Sequence, residues 1–324
     1  MREFFTKVVI PQSNNFLTYN DKILLLGSCF ADNIGAKFQE CYFQATINPY
    51  GVLYNPASIA NSIASCLTME EMSDSNCELC NLPFRFVSHN GMWHSMEHHG
   101  DFSHPSQDEV LKRCLLSCKR LIRALHEAST IIVTFGTAWI YEMDGLVVAN
   151  CHKMPASKFT RRCLSVEEIV SIWRPIIASL PNKRWIFTVS PIRHLKDGLH
   201  ANHISKAILL QAIDTLITCI NGWNLSSIAS YFPSYEIMMD ELRDYRFYAK
   251  DMVHPSDVAV GYIWERFVGT YMSEGVREEM RDLHQLWLDR HHRCLHPDSD
   301  EALAFAQRTE NKLRELQQRY PWLN

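Results

Sequence analysis

Short apolar runs alternate with longer amphipathic stretches along most of the chain. The runs at 23–26, 130–136 and 184–189 consist mainly of apolar residues. Strands that are buried on both faces of a parallel sheet show such continuous runs. Between them lie helical patterns, with apolar residues three or four positions apart. This alternation predicts a three-layer α/β/α sandwich that is built around a parallel sheet.

From residue 258 the pattern is helical to the end of the chain. Two amphipathic helices are predicted at 273–292 and 299–320, and His296-Pro297 separates them. They carry many charges and few large aliphatic side chains. We therefore expect a sandwich domain at 1–272 and a C-terminal helical hairpin at 273–324. The hairpin would cover the sandwich or mediate a homo-oligomer contact.

The stretch 73–105 lacks sustained periodicity and predicts an insertion with one or two short strands. Long structured loops are usually functional, so one interpretation is a lid whose aromatic residues stack on a sugar ring. In another, Cys77 and Cys80 join nearby histidines in a zinc site. Their spacing matches no zinc motif we recognise, so no metal and no other cofactor is predicted. The aromatic residues of the proposed lid are Phe84, Phe86, Trp93 and Phe102.

Composition narrows the class of protein. The 324 residues are 47% hydrophobic with a net charge of −4, so nucleic acid is not an expected partner. No continuous apolar run approaches the roughly 20 residues of a membrane span, and the N-terminus lacks the pattern of a signal peptide. Eleven cysteines without a framework spacing are typical of reduced thiols. These features predict a cytoplasmic protein.

The strand-to-helix turn after the first apolar run is the leading candidate site. Gly27 permits a sharp turn, and Ser28 then stands at the carboxyl end of a strand, where open α/β sheets bind their ligands. Ser28 also lies among the free N–H groups of a helix N-terminus, which favour negative charge. It is therefore a candidate nucleophile, although an N-cap serine would show the same pattern.

A serine nucleophile needs a base and a group that orients the base. Asp251 and His254 are the best pair in the chain, because a spacing of three places both side chains on one face of a turn or helix. The aspartate would hold the imidazole while its other nitrogen faces Ser28. A surface turn ahead of a helix capped by Ser256 would also explain the pair.

This order of motifs resembles the SGNH (GDSL-like) hydrolase superfamily, in which the serine follows the first strand and an Asp-x-x-His pair lies near the C-terminus. Residues 27–31, GSCFA, match the signature of the GSCFA domain family, a branch of that superfamily with an SGNH hydrolase/flavodoxin-like sandwich. Further blocks extend the resemblance over about residues 23–267. They lie at 48–56, 136–139, 150–153, 190–194 and 235–255.

The resemblance implies a serine esterase. Ser28 would be the nucleophile, His254 the general base and then the general acid, and Asp251 the orienting carboxylate. We expect an acyl group such as acetyl to be removed, through an acyl-enzyme, from a small-molecule or oligosaccharide ester. Two alternatives stay open: an acyltransferase that uses the same triad, and a non-catalytic carbohydrate-binding protein on the same fold.

The resemblance also implies an oxyanion hole, which would use the backbone N–H groups of Ser28 and Gly51. A third donor in the superfamily is an asparagine shortly after a glycine that corresponds to Gly136 in the block at 136–139. This chain has Thr137 there instead, and its hydroxyl is the first candidate for a replacement. Side chains from other loops are the alternatives, namely Asn48 and Asn150.

Further residues are candidates for the substrate pocket. Cys29 is a competing nucleophile, because a thiol at a helix N-terminus becomes more acidic. His152 and Lys153 would line the pocket and bind an anionic group of the substrate. Each of these residues would equally well be a polar side chain that packs loops. The candidates for substrate contact are Asn150, His152, Lys153, His194, Glu236 and Trp93.

Overall fold

A computed structural model describes residues 6–73, 83–222 and 227–323 of the chain. Its centre is a five-stranded sheet in which all neighbouring strands are parallel. The strands of the described residues are β1 (Lys22–Gly27), β2 (Gln44–Ile47), β3 (Phe86–His89), β4 (Met92–Ser95), β5 (Thr130–Phe135), β6 (Trp139–Met143), β7 (Leu146–Val148), β8 (Thr160–Cys163), β9 (Arg184–Val189) and β10 (Ile228–Tyr231). The central sheet has the order β10-β9-β5-β1-β2.

Helices cover both faces of this sheet, which confirms the predicted α/β/α sandwich. Strand β1 shows how the layers form, because Leu24 and Leu26 belong to one core cluster and Ile23 and Leu25 to the other. The first cluster includes residues of α2 to α5, and the second includes residues of α1 and α7 to α9. The helices are α1 (Cys29–Glu40), α2 (Pro56–Ser73), α3 (Gln107–Glu127), α4 (Val166–Ser179), α5 (Leu199–Gly222), α6 (Ser234–Glu236), α7 (Asp257–Tyr271), α8 (Glu274–His291) and α9 (Asp300–Arg319).

The strand order reverses between β1 and β5. The chain runs outward from β1 to β2 and then returns to the other side of β1 to form β5, β9 and β10. Open α/β sheets bind ligands at the carboxyl ends of the strands at such a reversal. Ser28 directly follows β1, and Gly136 directly follows β5. The topology therefore places these two residues at the expected binding edge.

Two small antiparallel sheets decorate the sandwich. The hairpin of β3 and β4 matches the expectation of short strands in the insertion, and it turns at Asn90-Gly91 with positive φ at both residues. Strands β7, β6 and β8 form a sheet that the sequence analysis missed. Its first turn is Asp144-Gly145, again with positive φ at both residues, and this dipeptide is a hairpin signal that we overlooked.

The C-terminal hairpin of α8 and α9 packs on the sandwich beside α1 and β2. The Tyr320 ring lies 5.2 Å from the Tyr19 ring, and the Trp322 indole donates a hydrogen bond of 3.2 Å to the Tyr42 carbonyl. The hairpin therefore covers one face of the second core cluster, as the first of the two interpretations expected. Its role in a homo-oligomer stays a prediction.

Helix α5 is apolar and long enough to span a membrane by length and composition alone. Core helices of globular domains pass the same test. Within the described residues it packs against α4, β9 and β10, and its buried face includes Leu209, Ile213 and Leu216. These contacts make it a structural layer of the sandwich.

Candidate active site

Ser28 occupies the turn between β1 and α1, and it is only 1% exposed. Its hydroxyl oxygen accepts a hydrogen bond of 3.3 Å from the Phe30 N–H, so the residue is the N-cap of α1. The cap uses the oxygen as an acceptor and leaves the hydroxyl proton free. Ser28 also borders a cavity of about 570 Å³. The N-cap and nucleophile roles are therefore compatible.

Gly27 sets the position of Ser28. Its φ of +138° is unfavourable for other residues, and a Cβ there would lie 2.2 Å from the Thr134 carbonyl oxygen of β5. The Gly27 N–H donates to the Asn48 side chain at 2.8 Å, and the Ser28 N–H donates a long bond of 3.3 Å to the Thr134 carbonyl. The close approach of β1 and β5 thus requires glycine and turns Ser28 toward the cavity.

Asp251 and His254 form the pair that the sequence predicted. His254 Nδ1 lies 2.6 Å from Asp251 Oδ2, while Asp251 Oδ1 accepts the backbone N–H groups of His254 and Val253 at 3.0 and 2.9 Å. These backbone hydrogen bonds, followed by the bond from the ring, lower the pKa of Asp251 to about 2. The charged carboxylate favours the tautomer with a proton on Nδ1, which leaves Nε2 as a base.

A neighbouring loop holds this pair in place. The Arg193 N–H donates to the Val253 carbonyl at 3.3 Å, and the Arg193 guanidinium donates to the Met252 carbonyl. The same guanidinium lies 4.1 Å from the centre of the Tyr248 ring. Met252 has a φ of +59°, a strained value for a residue with a side chain. Arg193 therefore clamps the tight turn between Asp251 and His254.

Ser28 and His254 both border the cavity of about 570 Å³. Ser28 lies on its buried floor, whereas His254 is partly exposed at its edge. No hydrogen bond joins the two side chains directly. The structure therefore brings the two distant motifs to one cavity.

Thr137 also borders this cavity, as expected for a residue that replaces the missing donor. Its hydroxyl oxygen accepts from the Trp139 N–H at 3.2 Å and lies 3.1 Å from the Ser205 hydroxyl. Ser205 in turn accepts the Ala138 N–H at 2.7 Å. When Ser205 donates its proton to Thr137, the Thr137 proton is left free to point into the cavity.

Gly51 and Asn48 do not border the cavity. The Gly51 N–H donates to the Asn48 carbonyl at 2.8 Å, and a Cβ on Gly51 would lie 2.3 Å from His99 Cβ. The Asn48 side chain accepts from Gly27 and donates to Asp32 at 2.6 Å. The Gly51 N–H is used inside the loop at 48–56, and the Asn48 side chain ties that loop to β1 and α1, so the structure does not support either as an oxyanion donor.

Asn150 and His194 border the cavity, as predicted. Asn150 accepts the His152 N–H with its side-chain oxygen at 2.8 Å, so its NH2 group remains available as a donor. The buried Nε2 of His194 has no hydrogen-bond partner among the described residues. Burial, and then the positive charge of Lys206, lower the pKa of His194 to about 4, so its ring is neutral at pH 7.

His152 and Lys153 do not border the cavity, which corrects their predicted role. The His152 ring is buried, its Nε2 lies 2.8 Å from the Ser95 carbonyl, and it stacks on His94 at 4.5 Å. Lys153 is exposed outside the cavity. Both residues have positive φ, so they form a tight turn, and the His152 ring contacts the insertion at Ser95.

Glu236 and Trp93 also lie away from the cavity. Glu236 accepts a hydrogen bond of 2.7 Å from the Tyr231 hydroxyl. Trp93 pairs with His104 through backbone hydrogen bonds and packs on the first core cluster with the other aromatic residues of the insertion, so these rings are not a lid. Cys77 and Cys80 lie outside the described residues. Within the described residues no group of three or more potential metal ligands comes together.

Sequence reasoning missed one wall of the cavity, because it missed the β7-β6-β8 sheet. Trp139 and Tyr141 of β6 and Arg161 of β8 border the cavity there. The Arg161 guanidinium lies 4.1 Å from the centre of the Trp139 ring and forms an ion pair with Asp197. Tyr54, from the block at 48–56, adds a third aromatic ring to the cavity wall. The antiparallel pairing of β6 with β8 places Arg161 opposite Tyr141 and two positions along the strand from Trp139, on the same face of the sheet.

Comparison with known proteins gives one result. The family model of the GSCFA family matches residues 22–267. No curated protein and no solved structure matches the chain significantly. The matched segment runs from the first residue of β1 into α7 and includes every residue described above at the cavity, whereas α8 and α9 follow it. The chain, matched over most of its length, belongs to the GSCFA family.

Proposed function

We propose that the protein is a serine esterase with Ser28, His254 and Asp251 as its catalytic triad. The observation that carries the proposal is the common cavity. Ser28 borders it with a free hydroxyl proton, and His254 borders it with a ring that Asp251 orients across 2.6 Å. The resemblance of the motif order to SGNH hydrolases supports the same assignment.

In this mechanism, His254 Nε2 takes the Ser28 proton as Ser28 Oγ forms a bond to the acyl carbon of an ester. The tetrahedral intermediate collapses when His254 gives the proton to the departing alcohol. Water then attacks the acyl-enzyme, again with His254 as base, and the acid leaves. The missing direct contact between Ser28 and His254 is compatible with this route, because catalytic hydrogen bonds are often long before substrate binds.

The developing oxyanion needs donors near Ser28. The Thr137 hydroxyl and the Asn150 amide both border the cavity and have protons available. The Ser28 N–H holds only a long bond of 3.3 Å to Thr134, which it can exchange for an oxyanion. The Ser28 N–H is thus kept as a donor from the resemblance, and Thr137 and Asn150 take the places of Gly51 and of the missing asparagine.

The substrate that we favour is an acyl ester of a carbohydrate or of another small molecule. Tyr54, Trp139 and Tyr141 give the cavity aromatic walls, and aromatic rings stack on the apolar faces of sugars. The volume of about 570 Å³ fits a small ester or the acylated end of an oligosaccharide.

Labelling with a fluorophosphonate probe tests the nucleophile. We expect the wild-type protein to be labelled and Ser28→Ala to be unlabelled, with hydrolysis of 4-nitrophenyl acetate and acetylated sugars lowered by about 10³-fold or more. Ser273→Ala is the matched control, because Ser273 is also an N-cap but lies at α8, outside the cavity. It should retain both labelling and activity.

Unchanged labelling of Ser28→Ala would show that Ser28 is not the nucleophile. Formation of a new ester when an acceptor alcohol is added would favour the acyltransferase alternative. Sugar binding by a protein that neither hydrolyses nor labels would favour the carbohydrate-binding alternative.

A further inference from the structure

Lys206 of α5 is buried beneath the cavity, with 1% of its surface exposed. Its ammonium donates hydrogen bonds of 2.6 Å to the Gly136 carbonyl and 2.7 Å to the Ser190 carbonyl. No carboxylate of the described residues pairs with it. A buried ammonium is costly and is usually paired, so an unpaired one needs an explanation.

The two carbonyls that Lys206 holds lie at the binding edge of the sheet. Gly136 directly follows β5, and Ser190 directly follows β9. A Cβ on Gly136 would lie 3.4 Å from Ser28 Cβ, so this backbone lies close to the candidate nucleophile. Ser190 itself borders the cavity. Lys206 therefore ties together two strand ends around Ser28.

Three titratable groups face the ammonium from three separate elements. The Cys29 thiol of α1 and the His194 ring of the loop after β9 interact with it electrostatically. The Tyr235 ring of α6 lies 5.7 Å from the nitrogen. Cys29 and His194 both border the cavity, so the charge of Lys206 acts on groups inside it. Burial lowers the pKa of Lys206 to about 7.

We propose that Lys206 is a positioning residue that stabilises negative charge at Ser28 in place of the missing asparagine donor. It acts through the Gly136 and Ser190 carbonyls. The ammonium offsets the partial negative charge that these two carbonyl oxygens place near Ser28. In a site shielded from water, a fixed positive charge is also more effective than the same charge at the surface. This inference rests on the proposed esterase function.

The Lys206→Met variant tests for the positive charge beneath the cavity by a measurement that needs no catalysis. Cys29 serves as the probe, because it lines the cavity as a half-buried free thiol beside the candidate nucleophile. Removing the nearby positive charge raises the pKa of the Cys29 thiol. We expect its alkylation by iodoacetamide at pH 6, where Lys206 still carries its charge, to slow by about threefold or more, as followed by mass spectrometry.

Lys183→Met is the matched control. Lys183 also donates to two backbone carbonyls, those of His126 and Ala128 at 2.9 and 2.6 Å, but it does so at the opposite end of the sheet. It should leave Cys29 alkylation unchanged. If Lys206→Met does not fold, Lys206→Gln removes the charge while keeping an amide donor for one carbonyl.

The catalytic readout is a change in kcat. We expect Lys206→Met to lower kcat on acetyl esters by about 10²-fold with little change in KM, because an oxyanion forms only along the reaction. The wild-type protein should lose activity as Lys206 deprotonates above neutral pH, and this alkaline limb should be absent from the variant.

Cys29 alkylation at the wild-type rate in both Lys206 variants would overturn the proposal, as would an unchanged kcat. Slower alkylation in a protein whose wild type hydrolyses no ester would support the positive charge at the cavity floor and would contradict the esterase. The two failures are therefore distinguishable.

Discussion

His254 Nδ1 donates to Asp251 Oδ2 across 2.6 Å, and the other oxygen of the same carboxylate accepts the His254 backbone N–H. One side chain thus orients both the ring and the main chain of the histidine. Asp251→Asn would present an NH2 group to Nδ1 and favour the wrong tautomer. We expect kcat/KM for 4-nitrophenyl acetate to fall on the order of 10²- to 10⁴-fold.

Asp244→Asn is the control for this variant. Asp244 is an exposed carboxylate of the same region that also caps a backbone N–H, that of Arg246 at 2.9 Å. It has no contact with His254. Equal losses in both variants would show that general damage to the segment, and not the tautomer, explains the effect.

Arg193 should determine the position of the His254 turn. Arg193→Met removes the guanidinium from the Met252 carbonyl and from the Tyr248 ring. We expect kcat to fall on the order of 10- to 100-fold, since small displacements of a catalytic group are costly. Hydrogen exchange at the Val253 N–H should also become faster. Arg246→Met, an exposed arginine in the same region, should change neither quantity.

Acid should destabilise the folded protein through His98, a buried histidine of the insertion. His98 lies 2.8 Å from the Ser95 hydroxyl and stacks on Tyr50, and burial lowers its pKa to about 3. The unfolded histidine binds a proton near pH 6.5, so this contribution to stability is complete above that pH. It is lost as the pH falls toward 3, with a slope of up to about 1.4 kcal/mol per pH unit.

Urea denaturation at several pH values measures this effect. His98→Gln should have a free energy of unfolding that falls less steeply between pH 6.5 and pH 4. His203→Gln, at an exposed position of α5, should keep the wild-type slope. Equal slopes for wild type and His98→Gln would contradict the prediction.

Gly27 should tolerate no side chain. In Gly27→Ala, the new methyl group meets the Thr134 carbonyl oxygen at 2.2 Å, and φ is unfavourable. We expect a loss of about 2 kcal/mol or more in the free energy of unfolding, together with loss of labelling at Ser28. Gly261→Ala is the control, because its helical position has free space, and it should stabilise α7 by about 0.5–1 kcal/mol.

The C-terminal hairpin should contribute to the stability of the sandwich. Leu283 of α8 is 1% exposed in the second core cluster, whereas Leu288 of the same helix is 43% exposed. Leu283→Ala should cost about 2–5 kcal/mol, and Leu288→Ala much less. Similar losses in thermal or urea denaturation for the two variants would show that the hairpin does not pack as described.

The sequence by itself determined the sandwich, the hairpin and the two main motifs. Buried strands and amphipathic helices each have a characteristic spacing of hydrophobic residues along the sequence. The Gly27-Ser28 turn and the Asp251–His254 pair each consist of residues that are close together in the chain. Such patterns can be recognised without knowledge of the fold. The β7-β6-β8 sheet was missed because its strands are only three to five residues long.

Only the tertiary structure decided which side chains share the cavity. It brought Ser28, Thr137 and His254 together and directed Gly51 into its own loop. It also placed Lys206 under the cavity floor, although its sequence position marks only a charge within an apolar helix. These contacts join segments that are far apart in the chain. Packing determines them, and no local pattern of residues encodes them.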